Sequence, residues 1–260
     1  MKNTLFACIT LTALISCNSV NSEWTSLLSN DSLDGWHIFQ DNGSKKGWIV
    51  EDGILTFNGI SDMESGAGDA SLLSDKTYKN FEIKFDWQIE AGGNSGFLWG
   101  VREDKKYKYP YQTGPEIQIL DAATYDDPNS VLGPEIERQN VLEDLEERKH
   151  FVSAVYDLFP PSILDASKSA GEWNSYHITI NYDANFGEVI FNGIKVNSFP
   201  LKGEEWDQKM KESKFSRSDE DEYLGDARWY DFAKFPEGHI CLQDHPGKVS
   251  FRNIKIRELD

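Results

Sequence analysis

Four short stretches hold side chains able to move protons or grip hydroxyl groups. GPEIQILD (114–121) carries Glu116, Gln118 and Asp121, and GGNSGFLWGVR (92–102) carries Asn94, Ser95, Trp99 and Arg102. AVYDLFPPS (154–162) carries Tyr156 and Asp157, and GHICLQDHPG (238–247) carries Gln243, Asp244 and His245. A carboxylate or an imidazole exchanges a proton near neutral pH when its surroundings tune it, and amides both donate to and accept from hydroxyls. Read as a strand, GPEIQILD turns Ile117 and Ile119 one way and Glu116, Gln118 and Leu120 the other. An ordinary wet face would carry Lys, Thr or Ser, so a carboxylate and an amide in adjoining slots ask for another reason. Each stretch also has a plain reading. Asn-Ser-Gly is a turn sequence, Asp157 can cap a turn through its own backbone, Asp244 can fix the loop after it, and one His in a loop is more often structural than catalytic.

The elements that must position these groups are short strands. WHIF (36–39), GWIVEDG and ILTFNG (47–59), SLLSD (71–75), FEIKFDWQIE (81–90), SGFLWGVR (95–102) and PEIQILD (115–121) are separated by Gly, Asn or Asp. YHITINYD (176–183), EVIFNG (188–193), IKVNSF (194–199), HICLQD (239–244) and VSFRNIKIRE (249–258) continue the series. In FEIKFDWQIE, Phe81, Ile83, Phe85, Trp87 and Ile89 share one face and polar residues the other, the mark of a half-buried strand. Asn192-Gly193 between apolar runs predicts a tight hairpin. In VSFRNIKI the apolar parity switches, which predicts a β-bulge near Arg252 or Asn253. Two segments break the rhythm: 135–149 reads as an acidic helix, and 203–213 as a short helix with Trp206 and Met210 one turn apart. The acidic run at 219–222 reads as a solvated loop. The expected fold class is all-β, an antiparallel sandwich with short helical insertions. No internal repeat, P-loop, dinucleotide fingerprint, zinc motif or G-x-S-x-G is found.

The chain begins MKNTLFACITLTALISC, with one Lys, an apolar run and a small-residue ending before Cys17. This is expected to be a signal peptide (1–17) with a lipoprotein cleavage site, Cys17 becoming the lipidated N-terminus. Residues 18–23 then form a linker and 24–260 a single domain. The formal charge is −18 for the whole chain. A surface this acidic argues against nucleic acid and anionic lipid as partners and leaves the N-terminal lipid as the only expected membrane contact. Beyond the leader only Cys241 remains, so no internal disulfide is expected, and Cys241 reads as a buried, inert thiol.

The order GGNSG, GPEIQILD, VYDLFPPS, GEWN, FNGIKV, SKF, GHICLQDH and FRNIKIREL, with WTSLLSNDSLDGWH and WIVEDGILTF ahead of it, resembles the 3-keto-disaccharide hydrolase family from about Trp24 to Leu259. The resemblance implies an exported bacterial protein, in the periplasm or at the outer membrane, with a concanavalin-like jelly roll and sugar chemistry on its concave face. Glu116 and Gln118 would face that cleft. It implies a glycoside or oligosaccharide substrate bearing a 3-keto group, cleaved by hydrolysis, with elimination across C1–C2 and hydration as a route. Glu116 or His245 would act as base; Gln118, Gln243 or Asn94 would hold the keto oxygen or ring hydroxyls; Asp121 and Asp244 would orient the His or hold a metal. Ser95, Trp99, Arg102, Tyr156 and Lys214 (of SKF) join the expected substrate contacts. The resemblance fixes no cofactor and leaves room for a divalent metal. The chain departs from the family's pattern in three places: DAATYDDP lacks the His usual after the strand ending at Asp121, 135–149 reads as an insertion, and Pro246 stands where Gly is common.

Two other classes fit a sandwich. A conventional glycosidase would pair two carboxylates, commonly on one strand, where this chain has Glu116 and Gln118. A non-catalytic sugar-binding or structural lipoprotein would use the eight Trp and ten Tyr for stacking without an acid, an amide and a His converging.

Overall fold

A computed structural model describes residues 23–28, 31–41, 47–59, 70–122, 148–216, 225–245 and 247–260. The leader with Cys17, nearly all of the 135–149 segment, most of DAATYDDP, the acidic run 219–222 and Pro246 lie outside the described residues. Every stretch expected to be a strand forms one. In chain order these are β1 (Thr25–Ser26), β2 (Trp36–Ile38), β3 (Trp48–Glu51), β4 (Ile54–Phe57), β5 (Leu72–Tyr78), β6 (Phe81–Ile89) and β7 (Asn94–Val101). They continue as β8 (Glu116–Leu120), β9 (Asn174–Asn181), β10 (Phe186–Phe191), β11 (Ile194–Phe199), β12 (Gly238–Leu242) and β13 (Val249–Glu258). A helix, α1 (Glu204–Glu212), lies between β11 and β12, with Trp206 buried and Met210 packed against the core.

The strands form two antiparallel sheets. One runs β11-β10-β9-β6-β13-β4-β3, with β1 also paired to β13; the other runs β2-β5-β12-β7-β8. The architecture is an all-β sandwich of the jelly-roll kind. Strict alternation on β6 sends Phe81, Ile83, Phe85, Trp87 and Ile89 inward, each at most 3 % exposed. They meet Phe97, Trp99, Ile117, Ile119 and Leu242 from the second sheet in one core. Burial of that many large apolar side chains is the main force holding the layers together.

Two local expectations are met in detail. Asn192 and Gly193 both have positive φ, 48° and 82°, the pair a type I′ hairpin needs between β10 and β11. The register of β13 against β6 shifts between Arg252 and Lys255, with Asn253 at φ 56°. The bulge restores the inward facing of Ile254 and Ile256 after Val249 and Phe251.

The outer face of the five-stranded sheet is covered in two parts. Over its β5 side, Phe39, Leu73, Leu98, Tyr107 and Cys241 form a small apolar cluster. Cys241 is a free, buried thiol, pushed up by burial and then by the nearby carboxylates of Asp244 and Glu116. Over its β8 edge, the segment 153–159 adds backbone bonds to the sheet. The Gln118 N–H donates to the Ala154 carbonyl (3.0 Å), and the Ser153 and Tyr156 N–H groups donate to the Gln118 and Glu116 carbonyls (3.0 and 2.9 Å). The double proline that follows stops this partial strand.

Candidate active site

Alternation on β7 and β8 places a polar row on the outer face. Leu98 lies opposite Glu116, Gly96 opposite Gln118, and Asn94 opposite Leu120. The backbone N–H of Gln243, just past β12, donates to the Gly96 carbonyl at 2.9 Å, which aligns Gln243 with the Gly96–Gln118 row. His245 follows, its Nε2 3.5 Å from Asn94 Nδ2. Glu116, Gln118, Asn94, Gln243, His245, Tyr156 and Lys214 all line one cavity of about 210 Å³. Two distant parts of the chain, GPEIQILD and LQDH, thus meet in one polar pocket.

The remaining wall is aromatic: Tyr111, Phe215, Trp229 and Phe232. Phe215 stacks on Phe232 with centroids 3.6 Å apart and meets the edge of Trp229 at 5.0 Å. Gln112 ties the loop carrying Tyr111 to the loop carrying Trp229. Its Oε1 accepts from the Lys108 and Tyr109 N–H groups (2.6 and 3.0 Å), and its Nε2 donates to the Arg228 carbonyl (3.0 Å). Aromatic faces beside hydroxyl-binding amides suit a sugar, whose ring presents C–H bonds on its faces and hydroxyls at its rim.

Lys214 enters from this wall. Its Nζ lies 4.5 Å from the Tyr156 ring centroid and 5.4–5.5 Å from those of Trp229 and Phe215, a cation held over three π faces. Its backbone N–H donates to Asp157 Oδ2 at 2.6 Å, and Asp157 Oδ1 faces His150 Nε2 at 3.1 Å. Burial by itself would raise the Asp157 carboxyl, but these two partners together hold it below its ordinary value. Asp157 is therefore more than a turn cap: it joins the segment carrying Tyr156 to the turn carrying Lys214.

Glu116 is the electrostatic centre. Burial pushes its carboxyl up to about 7, and the Lys214 charge pulls partly the other way. Such a group can hold or release a proton under physiological conditions, which an ordinary carboxylate does not do.

Five expected site residues lie elsewhere. Ser95 and Trp99 have the opposite parity to Asn94 and Gly96 and point between the sheets. Ser95 Oγ donates to the Gln243 carbonyl (2.8 Å), and Trp99 Nε1 donates to the Tyr182 hydroxyl (3.2 Å). Arg102 is exposed, over the Phe235 ring at 5.0 Å. Asp121 accepts from the Gly92 N–H at 3.1 Å and so pins the GGNSG turn; it borders a separate depression with Phe151 and Leu164. Asp244 is fully buried, accepting from the Ala70 N–H (3.0 Å) and the Ser71 hydroxyl (2.6 Å). Among the described residues, no three His, Cys, Asp or Glu side chains converge as a metal cage. The aromatic wall is what residue-by-residue reading missed. Its signal is the density of rings in KYKYPYQTG and RWYDFAKF, bounded by Gly and Pro.

An antiparallel sandwich holding an acid, a cation, amides and an aromatic wall in one outer-face cavity is the arrangement of a carbohydrate-active protein. The comparisons with known proteins agree. The chain belongs to the 3-keto-alpha-glucoside-1,2-lyase-like domain family, whose model matches residues 23–257. It is similar to a 3-keto-disaccharide hydrolase of Bacteroides thetaiotaomicron, 28% identical over 251 residues, covering 91% of this chain and 79% of that protein. A candidate glycosyl hydrolase of Parabacteroides distasonis, known as a crystal structure, is 32% identical with a TM-score of 0.72, covering 91% of this chain and 94% of its own. A second one from the same organism shares the fold at 22% identity and a TM-score of 0.59, covering 91% and 100%. The protein is a glycoside hydrolase-like enzyme acting on carbohydrate.

Proposed function

We propose that the enzyme cleaves glycosides whose sugar ring bears a ketone at C3. The observation that carries this reading is a single half-buried carboxylate, Glu116, raised to about 7 and sharing one cavity with a cation, Lys214. A C3 ketone acidifies the neighbouring C2 proton, because its removal gives an enolate. Glu116 takes that proton. The charge that develops on the C3 oxygen is met by the Lys214 ammonium and by amide donors from Gln118, Gln243 and Asn94. The enolate then reforms its carbonyl: the C2 electron pair becomes the C1–C2 double bond, and the glycosidic C1–O bond breaks. His245, which lines the same cavity beside Asn94, gives a proton to the leaving oxygen. Addition of water across the enone puts a hydroxyl on C1 and a proton back on C2, so the net change is hydrolysis.

The same layout speaks against direct displacement at C1. A conventional glycosidase works with two carboxyl groups flanking the bond; among the described residues lining the cavity, Glu116 is the only carboxylate. The chain's opening supports export as a lipoprotein through Cys17, and an exported enzyme would meet extracytoplasmic glycosides. The test is a pair of substrates, a 3-keto-glucoside and its unoxidised parent. Turnover of the first and none of the second is expected; equal cleavage of both would remove the ketone from the mechanism.

A further inference from the structure

Gly96 sits mid-strand in β7, on the cavity face, directly opposite Gln118. Glycine weakens a strand interior, having no side chain to pack and more freedom to lose on folding. The usual excuses are absent here. Its φ lies outside the left-handed region, so any residue could adopt its backbone. The Gln243 N–H bond to its carbonyl is a main-chain contact that a methyl group would leave in place. The three atoms nearest to a Cβ at this position all belong to one side chain. Built on Gly96, it falls 2.2 Å from Glu116 Oε1, 2.7 Å from Cδ and 2.8 Å from Cγ. The Glu116 side chain therefore leans diagonally across β7 and rests in the space where every other residue type would carry its β-carbon.

We infer that Gly96 is a positioning residue for the reaction: its missing side chain is the slot that holds the Glu116 carboxylate down against the sheet, aimed at the sugar's C2. The inference rests on the assignment of Glu116 as the base and adds where the base gets its orientation. With a methyl group at 96, the carboxylate must swing out into the cavity, into the space the sugar ring occupies and closer to water. Release from burial then moves its ionisation down from about 7.

The experiment is a cycle of Gly96→Ala, Glu116→Ala and the double variant, measured on a 3-keto-glucoside across pH, with thermal melts of each. Gly96→Ala alone is expected to lower kcat/KM by roughly tenfold or more, as a displaced base does. The acidic limb of its pH profile should move to lower pH. In the Glu116→Ala background the same Gly96→Ala change should cost nothing further, because the methyl group has nothing left to strike. Should Gly96→Ala fold poorly, the double variant should recover its melting temperature. A Gly96→Ala enzyme with wild-type rate and wild-type pH limb would overturn the inference, as would an equal loss with and without Glu116, or a poor fold that the double variant does not repair. Failure of the underlying mechanism looks different: Glu116→Gln would then be fully active, whatever happens at position 96.

Discussion

Glu116→Gln lowers kcat/KM on a 3-keto glucoside by about 10²–10⁴-fold, the range for loss of a positioned general base. The amide keeps the shape of the carboxyl group and its place over Gly96, so the loss is chemical and not steric. Wild-type activity depends on the ionised form, so kcat/KM rises as pH climbs through about 7 and then levels, and the variant's residual activity lacks that limb. Stability moves the opposite way. The folded-state value of Glu116 lies above its ordinary 4.5, so between pH 4.5 and 7 the folded protein binds more protons than the unfolded chain. By linkage, stability falls as pH rises across that window. A shift of this size corresponds to something on the order of 2–3 kcal/mol once water in the cavity screens part of it. Glu116→Gln never ionises and escapes the loss. Its melting temperature should match the wild type's below pH 4.5, exceed it increasingly up to about pH 7, and keep a constant advantage above that. An active variant would deny Glu116 the role of base, and a stability advantage that is the same at every pH would deny it the raised ionisation.

Lys214→Met should lower kcat by about 10²–10³-fold, as removal of one preorganised group facing a developing oxyanion does. Methionine is chosen because its flexible thioether fills the space among Tyr156, Phe215 and Trp229 without charge. The second signature is in the pH profile. Lys214 pulls the Glu116 ionisation down against the effect of burial, so its removal moves the acidic limb to higher pH, opposite to the shift expected from Gly96→Ala. Lys214→Arg keeps the charge and should keep the limb near its wild-type position. Its planar fork does not replace a compact ammonium at the keto oxygen, so kcat stays low. Unchanged kcat in Lys214→Met, measured at a pH where Glu116 is ionised, would reduce Lys214 to a wall residue.

Much of this was legible before any coordinates. Period-2 patterning on FEIKFDWQIE, the Asn192-Gly193 turn and the parity switch near Asn253 each state a local rule that the tertiary structure obeys. Glu116 and Gln118 were legible for the same reason: with Ile117 and Ile119 needed inside, strand geometry leaves them only the outer face. The same parity rule, applied to NSGFLWG, would have set Ser95 and Trp99 apart from Asn94; motif membership was the weaker guide there. Asp121 and Asp244 have the chemistry of site residues but hold backbone turns, and only the positions of Gly92, Ala70 and Ser71 show it. The aromatic wall could not be read because it is assembled from three loops. Loop rings carry no periodicity, and nothing local says that Phe215 and Phe232 will stack. The slot at Gly96 is likewise a relation between two strands, invisible in a single chain of letters.

The claim under everything else is that a base in this cavity removes the C2 proton of a keto sugar before the glycosidic bond breaks. It is tested most directly by following turnover of a 3-keto-glucoside in heavy water by NMR. The account predicts deuterium at C2 of the sugar product from the wild-type enzyme, faster than its appearance without enzyme, and none of that enzyme-dependent label with Glu116→Gln. Release of the aglycone at full rate with hydrogen retained at C2 would contradict it.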